Sequence, residues 1–193
     1  MTPLRTALLY AALLSAAIVA PVPAMATDVK ALIEPLREGD MRKLVVHATP
    51  QRGSEVAFTL EDGSEETLAD SNGKIRIVNF WATWCAPCRH EKPALDALNA
   101  ARAGDQFEVI AIATGRNSPE GIKRFNAEVG VETLTTYLDP GSAVARDMGV
   151  LGLPVSILLD REGREIARLQ GGADWTSAST AAILDALIEA TGS

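Results

Sequence analysis

Cysteine and histidine are scarce in this 193-residue chain, which has two of each: Cys85, Cys88, His47 and His90. So few cysteines exclude a disulfide-stapled scaffold, and the domain must hold itself together by burying apolar surface. Basic charge is short as well. Eighteen Lys and Arg face 25 Asp and Glu, a formal net charge of -7, so nothing draws the chain to phosphate backbones or anionic membranes and no nucleic-acid partner is expected. Aromatics make up only 5%. Internal repeats, low-complexity tracts and a second domain boundary are missing too. What is present, 47% hydrophobic and 22% charged residues, is the composition of one globular domain with extensions. The acidic pairs Glu61-Asp62 and Glu65-Glu66 are expected in solvated loops.

Residues 1–26 differ from the rest. Arg5 is their only charged side chain, "ALLYAALLSAAIVA" is an uncharged, almost wholly apolar run, and "PVPAMA" ends in Ala24-x-Ala26. This pattern reads as an export signal cleaved after Ala26. An uncleaved inner-membrane anchor is the alternative, since spanning takes about 20 residues. Either way the remainder is expected outside the cytoplasm, in the periplasm, soluble after cleavage or tethered by the N-terminal segment, and Arg5 fits the positive-inside orientation. The expected divisions are 1–26 as signal or anchor, 27–50 as an N-terminal extension and 51–193 as the main domain.

Along the remainder, Val29, Leu32, Ile33 and Leu36 recur at helical spacing, interrupted by Pro35 and ended near Gly39. "EVAFTLEDGSEETLA" alternates around Asp62-Gly63, a hairpin signal. "KIRIVNFWA" is a strand, followed by the cysteine motif and by "HEKPALDALNAAR" with helical periodicity, within which Pro93 is expected to kink the helix. A second apolar run, "FEVIAIAT", precedes a helix with Ser118 as N-cap and Pro119 at its first position, then the short strand "TLTTYLD". These alternations predict crossover units with helices covering a largely parallel sheet. Two strands around Asp160-Arg161-Glu162-Gly163 and the amphipathic helix "STAAILDALIEA" end the chain.

Cys85 and Cys88 stand in "NFWATWCAPCRHEKP", and the pair could be a structural staple, half a metal site or a redox couple. A loop this short removes little unfolded-chain entropy, so stability alone does not explain it. A structural metal site takes four ligands; no second cysteine pair exists, and His90 points away on the helix. The redox answer has a mechanism at this spacing. At a helix N-terminus, free N–H groups and the dipole stabilise the Cys85 thiolate as the attacking sulfur. Cys88, one turn inside, is placed to resolve the mixed disulfide. Ala86 and Pro87 fill the first turn, where a missing N–H is harmless. Trp84 is either part of a docking surface or core; Trp81 is more simply core.

"VNFWATWCAPCRHEKPALDAL" resembles the active-site segment of the thioredoxin superfamily, in the TlpA/ResA/DsbE branch of exported thiol-disulfide oxidoreductases, nearest to its TlpA members. The likeness continues through "FEVIAIATGRNSPEGIKRF", "GLPVSILLDREGREIARLQG" and "ADWTSASTAAILDALI". It implies a thioredoxin fold of the α/β class: a central mixed β-sheet flanked by helices, with a helix and strand inserted at residues 118–138 and an N-terminal β-hairpin. It also implies that Pro154 is a cis-proline facing the disulfide, the alternative being an ordinary turn proline, and that Leu153 offers backbone groups to an extended client peptide. Thioredoxins usually carry a buried Asp on the strand before the motif; here the position is Asn79, and an amide cannot take that proton. In the exported branch a Glu three residues after the second cysteine shares the task. Glu91 holds that position, as a proton-transfer partner of Cys88 or as a solvated helix residue.

The activity implied is reduction of disulfides in client proteins, with no cofactor and no metal. A membrane thiol donor would restore the dithiol. Clients implied by the TlpA likeness are copper-handling proteins of cytochrome oxidase assembly, whose ligand cysteines must be reduced before they bind metal. Reduction of apocytochrome c is the alternative within the class; "GLPVS" lacks the acidic turn common among members devoted to that task. The alternative from another class is a copper metallochaperone using Cys85, Cys88 and a histidine. A thiol peroxidase is a further alternative, against which no threonine stands where peroxide activation needs one, Thr83 being more simply structural.

Overall fold

A computed structural model describes residues 28–191; the segment read as a signal or anchor lies outside the described residues. Among these, no helix is long and apolar enough to cross a membrane.

The sheet grows around β4 (Ile75–Trp81), whose seven residues are all buried. A β-branched and aromatic run of this kind is what a strand covered on both faces requires. Beside it lie β5 (Phe107–Thr114) and β7 (Val155–Leu159), and the eight strands follow the order β1-β8-β7-β4-β5-β6-β2-β3. The outer members are β1 (Val45–Gln51), β2 (Phe58–Leu60), β3 (Glu65–Glu66), β6 (Tyr137–Asp139) and β8 (Glu165–Gln170). Glu65 and Glu66 thus form an edge strand and not a loop, although Glu65 stays exposed.

Only the pairings of β4 with β5 and of β5 with β6 are parallel; the other five are antiparallel, so the sheet is mixed and not largely parallel. Alternating strand and helix patterns correctly locate the crossovers. They do not reveal that β7 approaches β4 from the opposite direction, because apolar periodicity carries no information about strand direction.

Side-chain alternation along β4 divides the core. Ile75, Ile77 and Trp81 join α2 (Ala86–Arg102), α3 (Pro119–Val129) and α5 (Ala178–Thr191) in one cluster; Val78 and Phe80 join α4 (Ala143–Asp147) and the β2–β3 side in another. Asn79 falls in the first register, facing α2. The helix α2 continues through Pro93 to Arg102, and α3 begins with Ser118 capping the Gly121 N–H and Pro119 in the first turn.

Residues 28–50 are packed into the same body. Pro35 turns α1 (Val29–Ile33) into a 3-10 segment. Ile33, Met41 and Leu44 are at most 1% exposed, and β1 adds to β8. Leu44→Ala should therefore destabilise the domain by about 2–5 kcal/mol, the range for a core leucine. Urea unfolding checks this, and a change under 1 kcal/mol would contradict a shared core.

Candidate active site

The turn after β4 is pinned before the helix begins. Thr83 donates from its backbone N–H and its hydroxyl to Asn117 Oδ1 at 2.9 and 3.0 Å. Asn117 Nδ2 in turn donates to the carbonyls of Thr114 and Gly115 at the end of β5. Thr83 is thus a structural anchor. Asn117 carried no sequence signal; it is found only once β4 and β5 lie side by side.

Cys85 is the N-cap of α2, and its Sγ accepts the Cys88 N–H at 3.3 Å. Pro87 lies in the first turn, where its missing N–H leaves no gap. Cys85 and Cys88 are joined as a disulfide. Cys85 keeps 6% exposure and Cys88 none, so of the two only the outer cysteine meets solvent. The Cys88 N–H and the positive end of α2 lie at its sulfur, an arrangement that favours a thiolate once the disulfide is reduced.

Three loops frame the pair. Trp84 is 67% exposed, which assigns it to the surface, whereas Trp81 is buried against Phe125 with ring centroids 4.9 Å apart. The Leu153–Pro154 peptide is cis, Pro154 is buried and Leu153 half-buried. The Pro154 carbonyl accepts the Gly171 N–H at 2.9 Å. A Cβ on the adjoining Gly172 would lie 3.7 Å from the Pro87 carbonyl oxygen and 3.8 Å from Glu91 Oε2, so the loop after β8 links Pro154 to the start of α2. Leu151, at the outer end of the Pro154 loop, is 96% exposed.

Glu91 is no solvated helix glutamate: it is 3% exposed. Its Oε1 accepts Asn79 Nδ2 at 2.9 Å, and its Oε2 accepts the Ala173 N–H at 3.2 Å and Trp175 Nε1 at 3.3 Å. Burial raises its pKa above the usual carboxylate value, opposed by those three donors and by the charge of Lys92. Asn79 also donates to Ser156 Oγ, its neighbour across β7. An aspartate at position 79 would face Glu91 as a second anion; the amide instead acts as a donor to it. Ala173, Trp175 and Ser156 were invisible in the sequence because they arrive from strands and loops more than sixty residues away. A cleft of about 530 Å³, lined by Pro87, His90, Glu91, Ala173 and Asp174 among others, opens beside this carboxylate. Its wall is braced from residues 28–50: Lys43 Nζ donates to the Gly172 carbonyl and the Asp174 N–H donates to Asp40. His90 is exposed, and among the described residues no three His, Cys, Asp or Glu side chains converge as a metal site.

One buried group has no counterpart in the sequence reading. Lys92 is 1% exposed, its Nζ has no hydrogen-bond partner among the described residues, and it lies 4.0 Å from the centroid of the Trp81 ring.

A mixed sheet, a dithiol motif capping the helix after its central strand and a cis-proline before β7 define a thioredoxin-fold protein. The chain belongs to the Redoxin family, which it matches over residues 48–188. It is 37% identical over 112 residues to the thiol:disulfide interchange protein HelX of Rhodobacter capsulatus, covering 56% of this chain and 61% of that protein. It is 30% identical over 110 residues to the thiol-disulfide oxidoreductase ResA of Bacillus thuringiensis, covering 57% of this chain and 62% of that one. The chain thus spans about three fifths of the length of these relatives. Among solved structures it is similar to a thiol:disulfide interchange protein DsbE from Chlorobium tepidum, with TM-score 0.62, 29% identity, and coverage of 72% of this chain and 96% of that one. These relatives are those of the TlpA/ResA/DsbE branch that the motif resembles.

Burial lowers the Lys92 pKa to about 7, partly offset by the charges of Glu91 and Asp96. Between that value and the ordinary lysine pKa of about 10.4 the unfolded chain holds a proton that the folded chain has released, so stability rises with pH across this window and is lowest below it. Lys92→Met should therefore stabilise the protein by on the order of 4 kcal/mol at pH 6, a gain that shrinks toward pH 10. Urea unfolding across that range checks the sign; a gain independent of pH would assign it to packing.

Proposed function

We propose that this chain is an exported thiol-disulfide oxidoreductase that reduces disulfides in partner proteins. The observation that carries the reading is the asymmetry of the pair: Cys85 caps α2 with residual exposure, and Cys88 is sealed beneath it beside the Glu91 network. The Cys85 thiolate attacks a client disulfide, forming a mixed disulfide and expelling one client thiolate. Cys88, losing its proton to Glu91, then attacks Cys85 Sγ; the Cys85–Cys88 bond forms and the second client thiolate leaves. The client gains two electrons and the pair is oxidised, so a membrane thiol donor must return it to the dithiol.

In this scheme Trp84, Leu153 and Pro154 meet the client, Leu153 through its backbone and Trp84 through its exposed ring. Ala86, Pro87 and Asn79 support the pair, Asn79 by orienting Glu91. The export pattern of residues 1–26 supports a periplasmic location, free or tethered. The clients we propose are copper-assembly proteins, since thiolates and not disulfides bind the metal.

Cys85→Ser should abolish insulin reduction, and Cys88→Ser should accumulate client proteins as mixed disulfides on Cys85. Retained turnover in Cys85→Ser would overturn the scheme, and trapped apocytochromes in place of copper-assembly proteins would replace the proposed clients. Glu91→Gln should slow turnover about a hundredfold, the lower end for lost proton transfer; unchanged rates and thiol acidities would remove Glu91 from the chemistry.

A further inference from the structure

Within α2 the buried face carries Cys88, Glu91, Lys92 and Leu95. Cys88 and Lys92 are one turn apart, which brings their Cβ atoms to about 5–6 Å. Both are sealed from solvent, at 0% and 1% exposure. A lysine with four methylenes could send its ammonium to the surface, yet this one stays inside, against Trp81.

The neighbouring carboxylates are already engaged. Glu91 accepts three hydrogen bonds from Asn79, Ala173 and Trp175. Asp96 accepts backbone N–H groups of Glu132, Thr133 and Leu134. Neither makes a salt bridge to Lys92 among the described residues. From the other elements packed here, β4 presents the Trp81 ring and the neutral Asn79. The α3 helix presents Ile122 and Phe125 and keeps Glu120, Lys123, Arg124 and Glu128 exposed. The Arg89–Glu128 ion pair lies out at the surface, with Arg89 over the Phe125 ring. The loop after β8 presents Trp175. The ammonium is thus held without a closed ion pair, in a low-dielectric pocket where an anion formed nearby feels it strongly.

We propose that Lys92 is a positioning residue for the dithiol chemistry: its ammonium stabilises the thiolate that forms at Cys88 while the mixed disulfide is resolved. This rests on the reductase reading above. In the disulfide neither sulfur is charged and the ammonium has only the engaged carboxylates of Glu91 and Asp96 near it; when Cys88 ionises to resolve the mixed disulfide, a thiolate forms one turn away. By reciprocity the thiolate holds the proton on Lys92 and Lys92 holds the sulfur ionised. The depressed Lys92 pKa of about 7 belongs to the disulfide form, and a thiolate nearby raises it, so the effect is lost only at higher pH.

The test compares the reduced wild type with Lys92→Met and Lys92→Gln, following the 13Cβ shifts of both cysteines against pH and timing single-turnover resolution of a mixed disulfide. Met fills the volume with apolar atoms and Gln with a neutral polar group, so an effect of charge is common to both and an effect of packing is not. The expected result is a rise of about one unit in the apparent Cys88 midpoint, a tenfold loss of thiolate. Resolution should be correspondingly about tenfold slower at pH 6 and converge with the wild type above pH 9. Unchanged midpoints, a shift in only one variant, or a rate ratio constant across pH would each overturn the proposal. Failure of the reductase reading would show separately, as absence of insulin reduction by the wild type, whereas the thiol titration needs no client.

Discussion

A buried carboxylate organises this site. Glu91 gathers donors from β4, from the loop after β8 and from the indole of Trp175, so one side chain of α2 fixes where that helix stands relative to two other parts of the fold. Leaving such donors without an acceptor would be expensive in the interior, and the register of α2 on the sheet is therefore strongly defined. Everything at the helix tip inherits it. Cys85 caps α2 with its sulfur accepting the Cys88 N–H because the turn before it is held by Asn117 and the helix behind it by Glu91.

The same arrangement sets the two cysteines at different depths. The outer sulfur has the helix dipole and a narrow opening to solvent, bordered by the exposed Trp84. The inner cysteine has no solvent, and in the proposed scheme it exchanges its proton with the protein. Glu91 stands three residues on, with its pKa raised by burial toward the range where accepting and returning a proton are both feasible. Asn79 keeps this possible by donating to Glu91, where a second carboxylate would compete for the proton. The buried Lys92 has no ion-pair or hydrogen-bond partner among the described residues, and an uncompensated polar group in a tightly packed interior is found more often at sites than in the fold at large.

Residues 28–50 illustrate where reading the chain alone stops. Their helical spacing was visible, as was the interruption at Pro35, yet nothing local says that Leu44 is core or that Asp40 and Lys43 brace the loop holding Glu91. Contacts between residues 40 and 174 depend on β1 lying beside β8. The mixed sheet is a similar case. The apolar runs of β4, β5, β7 and β8 could be located from composition, but the direction of β7 follows from how the chain returns through the Leu153–Pro154 loop.

The order of elements, the capping cysteine, its partner cysteine one turn behind it, the N-cap at Ser118 and the turn at Asp160–Gly163 were all legible in the sequence. Each depends on residues within a few positions of one another, where backbone geometry and helical or strand periodicity decide the outcome. The tertiary structure alone decided that Glu91 is buried and bound, that Trp84 is outside and Trp81 inside, and that Lys92 has no ion-pair partner among the described residues. Burial, ionisation and hydrogen-bond satisfaction are set by what arrives from across the fold, and a helical position next to a cysteine reads the same whether water or an indole ends up facing it.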